Sequence, residues 1–330
     1  YRAHFRGKVV YCNCDDPAGG RKDPKASTFF SYFADNFEKL GLKELIVTSY
    51  GRNGAKGTIA VYRGDKNGNR RPDPEEIEIR PMQGDGDFRS EESIKLLMRA
   101  DIVVTNPPFS LFREYIAQLI DAGEQRIAAG RERTKFLVIG NLNAITFKEV
   151  FQLIKGGGLW LGHGFKAGNA YFRIPGPNPN DTEDRAPDPA DYAAGVYDQD
   201  TGLVKFRNAV WFTNMDHDKI HELLDTGVRY LQDNYSRYDN YDAIEVSRLR
   251  DIPMDYDGVM GVPITFLDKY CPEQFEILGI TDRSNDSGLK TRVYTKDDAP
   301  NAGDLNARGV VRLGGRYKAI YVRILVRRKT

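Results

Sequence analysis

The sequence predicts an α/β protein: a largely parallel sheet with helices on both faces, followed by a mixed α+β region. Three observations carry this. Strand-like and helix-like patterns alternate through the first 160 residues, the pattern of βαβ units. The strand candidates KVVYCNC, ELIVTSY, DIVVT and KFLVIG are short segments centred on apolar, largely β-branched and aromatic residues without polar alternation, as buried strands require. The second half loses the alternation and reads as short strands, loops and one helical stretch. At roughly 150 residues per domain, 330 residues make two domains. They are placed at 1–160 and 161–330, with 240–280 a stretch that packs back on the first.

In order, Lys8 to Cys14 is the first strand, and an Asp/Gly/Pro-rich loop follows. Ser27 or Thr28 caps a helix that presents Phe29, Phe33 and Phe37 on one face and ends at Gly41. Glu44 to Tyr50 is the second strand. Residues 51–80 carry glycines at 51, 54 and 57, then TIAVYRG and EIEIR, and read as a hairpin excursion. Ser90 opens a helix to Arg99, Asp101 to Thr105 is a strand, and Ser110 to Ala122 is a helix. Lys135 to Gly140 and Thr146 to Ile154 make the next strand and helix. Residues 175–202 form a polar loop, with seven acidic residues against one basic over 181–200. FRNAVWFTN is a strand, HDKIHELL a helix, and the terminal GRYKAIYVRILVRRK one alternating strand.

Composition excludes several classes. Hydrophobic residues at 40% supply a core, so the chain is not disordered. With 48 basic against 47 acidic residues, it is neither a polycation nor an acidic tail protein. No apolar run approaches the roughly 18 residues of a membrane span. Three cysteines cannot frame a disulfide scaffold, and Cys12-x-Cys14 alone is a weak metal signal. The expectation is a soluble cytoplasmic protein without a metal. The last 26 residues, Leu305 to Thr330, hold eight basic residues and no acidic one.

The chemistry concentrates at Asn106-Pro107-Pro108-Phe109, after a buried strand and before a helix, where open α/β sheets place their ligands. Two prolines stiffen the turn and remove N–H donors. The turn is left with two acceptors, the Asn106 side-chain oxygen and the Pro107 carbonyl. Two fixed acceptors hold both hydrogens of an exocyclic amino group, drive its nitrogen toward sp³ and aim the lone pair outward. Phe109 offers a ring face for a planar base. The constellation suits an amino nucleophile attacking an electrophile held opposite.

NPPF resembles the catalytic motif of amino-methyltransferases that use S-adenosylmethionine. The surrounding segments resemble one family, the EcoRI-type adenine-specific (N6) DNA methyltransferases. They are VYCNCDDP (10–17), FADNFEKLGLKELIVTSY (33–50), GDGDFRSEES (84–93), ADIVVTNPPFSLFREY (100–115), IGNLNAITFKEVF (139–151), NYDAIEV (240–246) and DYDGVMGVPITFLDKYCPEQFEILG (255–279).

The resemblance implies a Rossmann-like methyltransferase sheet, S-adenosylmethionine as cofactor and double-stranded DNA as substrate, with an adenine extruded from the helix. It also implies a companion restriction endonuclease. Asn106, Pro107, Pro108 and Phe109 take the catalytic positions, Asn106 also facing the cofactor. Asp87 and Phe88, 19 and 18 residues before Asn106, take the places of the residues that bind the cofactor's adenine. Asn13, Asp15, Asp16 and Pro17 pass under its methionine end. This turn departs from the glycine-rich pattern usual there, and Ser49 stands where an acidic ribose ligand is usual. Arg113, Arg323 and Arg327 are the expected phosphate contacts. Two other readings stay open at this level: a protein glutamine-amide methyltransferase, and a DNA-binding relic without turnover.

Overall fold

The computed structural model describes residues 1–15, 29–51, 53–69, 72–164, 169–173, 195–283 and 288–329. The chain divides into two compact units, each assembled from two stretches. The first combines Tyr1–Leu142 with Gly164–Met215, the second Asn143–His163 with Asp216–Thr330.

The first unit follows the expected alternation: β1 (Val9–Cys12), α1 (Phe29–Asp35), α2 (Phe37–Leu40), β2 (Glu44–Thr48), β3 (Thr58–Tyr62), β4 (Ile77–Pro81), α3 (Glu91–Arg99), β5 (Ile102–Thr105), α4 (Phe112–Ala128) and β6 (Lys135–Asn141). The chain then supplies α5 (Lys148–Lys155) and β7 (Trp160–Leu161) to the second unit. It returns through β8 (Asn169–Arg173), β9 (Tyr197–Asp198), β10 (Leu203–Arg207) and β11 (Ala209–Thr213). Seven strands of this unit share one sheet in the order β4-β3-β2-β1-β5-β6-β11. β1 runs parallel to both β2 and β5, and β5 parallel to β6. The excursion at 51–80 is the antiparallel edge β3–β4, and on the other side β11 runs antiparallel to β6. Edge strand β4 is largely exposed and carries Glu78 and Arg80, charges that discourage pairing with another chain.

β1, β2 and β5 are buried along their whole length because helices cover both faces. Phe33, Phe37 and Leu40 of α1 and α2 pack on Val10, Leu45, Val47 and Val104. α3 lies against β1 and α4 against β6, burying Leu97, Phe112, Tyr115 and Leu119. A partly buried ion pair ties the far end of α4 to the start of β5. Arg126 donates to Asp101 at 2.8 Å and to the Met98 carbonyl at 2.9 Å. The other Asp101 oxygen accepts the Val9 N–H at 2.9 Å. Ser90 caps α3 by accepting the Ser93 N–H, and Gly41 ends α2 at φ 66°, both as expected. Ser27 and Thr28 lie outside the described residues. Here Asp15 accepts the N–H of Phe30 at 2.8 Å, bringing a distant carboxylate to the start of α1.

The second unit holds a four-stranded sheet ordered β12-β13-β17-β14: β12 (Ile244–Glu245), β13 (Met260–Pro263), β14 (Phe275–Ile280) and β17 (Arg323–Arg328). α6 (Ala302–Asn306) and a separate hairpin, β15 (Val310–Leu313) and β16 (Arg316–Ala319), stand beside it in sequence. Two expectations fail here. HDKIHELL forms only a 3-10 turn, Asp218–His221. The basic terminal segment is two strands, and the second of them, β17, is central, with partners on both sides. Ile324, Leu325 and Val326 are three consecutive buried residues, so the strand is covered on both faces and period-two alternation does not describe it. No helix among the described residues is long and apolar enough to cross a membrane.

Candidate active site at the carboxyl ends of β1 and β5

β1 leads through α1 on one face of the sheet to β2, and β5 leads through α4 on the other face to β6. The two adjacent strands therefore part company at their carboxyl ends, which is the crevice where open α/β sheets bind ligands.

At the end of β5, Pro107 is buried while Asn106, Pro108 and Phe109 are exposed. The Asn106 amide has no hydrogen-bond partner among the described residues. Pro108 is extended (φ −57°, ψ 126°), and its carbonyl accepts the Leu111 N–H at 3.0 Å, opening the 3-10 turn that leads into α4. The ring of Phe109 is 45% exposed, a large apolar surface left to water at the mouth of the crevice.

The end of β1 is the reverse. Asn13 is buried; its carbonyl accepts from the Thr105 hydroxyl and its side-chain oxygen from the Tyr115 hydroxyl. These bonds tie β1 to β5 and α4. Cys14 adopts the left-handed conformation at φ 59°, where a side chain costs about 1–2 kcal/mol relative to glycine. Burial, and next the nearby Asp87 carboxylate, push its thiol up to about 12, so it stays protonated. The following residue, Asp15, is buried, with its N–H donated to the Thr48 carbonyl at 3.1 Å. Asp16 and Pro17 lie outside the described residues.

The end of β2 is stitched to the GDGD loop. The Ser49 hydroxyl accepts the Thr58 N–H at 3.0 Å. A side chain on Gly57 or Gly86 would place its first carbon 2.6 or 2.2 Å from the Ser49 carbonyl oxygen, so both glycines are required for this approach. The loop carries Asp87 into the crevice beside Cys14. Arg89 donates to both Asp87 oxygens, at 2.9 and 2.7 Å, and its guanidinium holds that carboxyl below the usual carboxylate range. Phe88 is 4% exposed and meets the Tyr115 ring edge-on at 5.1 Å.

Arg113 is exposed in the first turn of α4. In the second unit, Arg323 is largely buried and donates to Glu245 at 2.8 Å. Arg327 is half-exposed and paired with Glu276 at 2.8 Å. Cys12, Cys14 and Cys271 are free thiols, and no metal-ligating cluster occurs among the described residues.

Sequence reasoning missed five contributors. Tyr115 and Thr105 act on Asn13 from 102 and 92 residues away, a relation only the fold shows. Arg89 is adjacent to the GDF motif and was open to detection as an i+2 partner of Asp87. Gly57 was visible as a glycine but not as a point of close approach. A cysteine in a glycine's conformation has no sequence signal at all.

A family model described as adenine-specific methyltransferase EcoRI matches residues 1–329. The type II methyltransferase M.EcoRI of Escherichia coli is 44% identical over 287 residues, 84% of this chain and 80% of the relative. M.MgeORF184P of Mycoplasma genitalium is 31% identical over 338 residues, and M.MpnI of Mycoplasma pneumoniae 32% over 335. Each alignment covers 100% of this chain and 90% of the relative. No solved structure matches significantly.

Proposed function

The chain belongs to the EcoRI family of adenine-specific methyltransferases, and on that footing we propose how it works. It methylates the N6 amino group of an adenine flipped out of double-stranded DNA at a specific site, with S-adenosylmethionine as donor. The first unit is the catalytic one and the second serves target recognition. The observation that carries the reading is the open β5 turn: an exposed Asn106 amide with no partner among the described residues and a half-exposed Phe109 ring at the sheet's switch point.

The residues present fit the donor. A sulfonium compound with a purine, a ribose and an ammonium group needs acceptors spread along a crevice. Asp15, Ser49 and Asp87 provide them at the ends of β1, β2 and before α3. Asp87 is engaged by Arg89 through three N–H groups, two on Oδ1 and one on Oδ2. A lone pair therefore remains on Oδ2 for the purine amino group. Phe88, wedged on Tyr115, fixes the loop that presents Asp87. Asn13 holds the β1 turn in place, and Cys14 lets the backbone turn tightly beneath the methionine end. When bound, S-adenosylmethionine supplies an electrophilic methyl group.

The chain's own contribution is orientation, which accounts for several kcal/mol of barrier where reacting atoms are held in line. Extruding the adenine costs a few kcal/mol of stacking and pairing. The Phe109 ring receives the base plane. The Asn106 side-chain oxygen and the Pro107 carbonyl accept the two N6 hydrogens and turn the nitrogen lone pair outward. Pro107 and Pro108 keep those acceptors in place without adding competing donors. A glutamine-amide acceptor would use the same turn, but membership of an adenine-specific family favours the nucleobase. A companion endonuclease that cuts the same site would complete a restriction–modification pair.

The test is transfer of labelled methyl from S-adenosylmethionine to unmethylated DNA of varied sequence, with nucleoside analysis of the product. Label recovered as N6-methyladenine at one recurring sequence supports the reading. Label in protein glutamine, or none despite cofactor binding, overturns it.

A further inference from the structure

The basic terminal segment was expected to meet DNA through Arg323 and Arg327, yet both are paired with carboxylates in the folded chain. Other cations of that segment, Arg316 and Lys318 among them, have no ion-pair partner among the described residues. We propose that the β15–β16 hairpin is a phosphate-contacting ribbon for duplex DNA, with Arg316 and Lys318 as its contacts. The inference rests on the proposed DNA substrate and adds the element that grips it.

The hairpin has a rigid base and a bare tip. Val310 and Val311 are buried at the base. Arg312 donates to Asp239 at 2.7 Å and lies 4.9 Å from the centre of the Tyr317 ring, so its charge is used internally. Beyond Arg312 the character changes. Gly314 and Gly315 both have positive φ, 55° and 76°, the two-residue turn that suits the twist of a hairpin. A side chain built on either glycine would meet nothing within 4 Å, so the tip stands in open space. Leu313 pairs across the turn with Arg316, and Val311 with Lys318. Period two puts Leu313, Arg316 and Lys318 on one face. All three are exposed, and neither cation has an ion-pair partner among the described residues.

A phosphate contact needs a cation that is not already neutralised. From Leu305 to Thr330 no acidic residue is present, so the ribbon repels no phosphate through its own sequence. A two-stranded ribbon also fits the roughly 12 Å width of the B-DNA major groove. This accounts for how a chain of net charge +1 engages a polyanion: its charge is unevenly distributed, and two cations without an ion pair among the described residues stand on a projecting hairpin.

The test is DNA binding by the full chain as a function of salt, comparing wild type with Arg316→Ala/Lys318→Ala. A control, Lys43→Ala/Lys66→Ala, removes two exposed cations from the first unit. The hairpin variant is expected to weaken target and non-target duplexes by the same factor. Its plot of log affinity against log salt should be shallower by about 2. Cofactor affinity and melting temperature should be unchanged. An unchanged slope, or the same loss in the control, overturns the proposal. Loss confined to the target sequence overturns it too, in favour of base reading. If wild type methylates DNA while the slopes match, only the hairpin fails. If wild type neither methylates nor binds DNA, the underlying reading fails with it.

Discussion

Two asparagines end neighbouring parallel strands of the first unit, and the fold treats them in opposite ways. Asn13, after β1, is buried, and both its oxygens accept hydrogen bonds from side chains of other elements. Asn106, after β5, is exposed with its amide unengaged among the described residues. Both were expected to contact ligand. The difference shows that residue type and strand-end position do not by themselves make a reacting group. What matters is whether the polar atoms are already satisfied. An asparagine whose oxygens are taken by neighbouring side chains positions the backbone, and one whose side-chain oxygen stays open, held by a rigid turn, is left for substrate. The cost of leaving Asn106 open is small because water solvates it in the free protein.

The comparison can be pressed first on the open side. Asp87→Asn keeps the shape of the loop and removes the charge that Arg89 and the cofactor's amino group share. Loss of hydrogen bonding to a charged acceptor is worth about 1.5–3 kcal/mol, so cofactor affinity should fall by roughly 10- to 100-fold, read by calorimetry. The wild-type pH profile adds a sign. Arg89 depresses the Asp87 pKa, so the carboxylate's contribution is present above the ordinary carboxylate range and persists through it. It is lost only as pH falls through the depressed value. Cofactor binding that weakens already between pH 6 and 5 would remove Asp87 from the site.

On the closed side, Tyr115→Phe deletes the hydroxyl that satisfies Asn13 and leaves a buried acceptor orphaned. The expected cost is about 1–3 kcal/mol in urea-induced unfolding. Methyl transfer by the folded fraction should change much less. A variant as stable as wild type would show that water or a rearranged Asn13 replaces the bond.

The same contrast explains what was legible beforehand. The parallel core, both helix layers and the β5 turn were visible because their signals are local: apolar runs, a serine cap, two prolines and an asparagine. The β1 turn was not. Its asparagine is held by Thr105 and Tyr115, and its cysteine takes a conformation usual for glycine, relations set by tertiary contact. The second unit was read least well. HDKIHELL has helical spacing but packs as a single turn. The terminal segment has alternating stretches, yet its last strand is covered on both sides. There the charge count says nothing of which cations are already neutralised, because pairing with Glu245 and Glu276 is invisible in one dimension.

The most direct measurement is single-turnover methyl transfer, with melting curves alongside, for Asn106→Ala and Asn13→Ala made in parallel. Removing a group that positions the nucleophile should slow Asn106→Ala by at least about 10²-fold with its melting temperature unchanged. Asn13→Ala should instead melt early while its folded fraction keeps most of the rate. An Asn106→Ala enzyme that transfers methyl at the wild-type rate, or that loses activity only because it unfolds, would contradict the account.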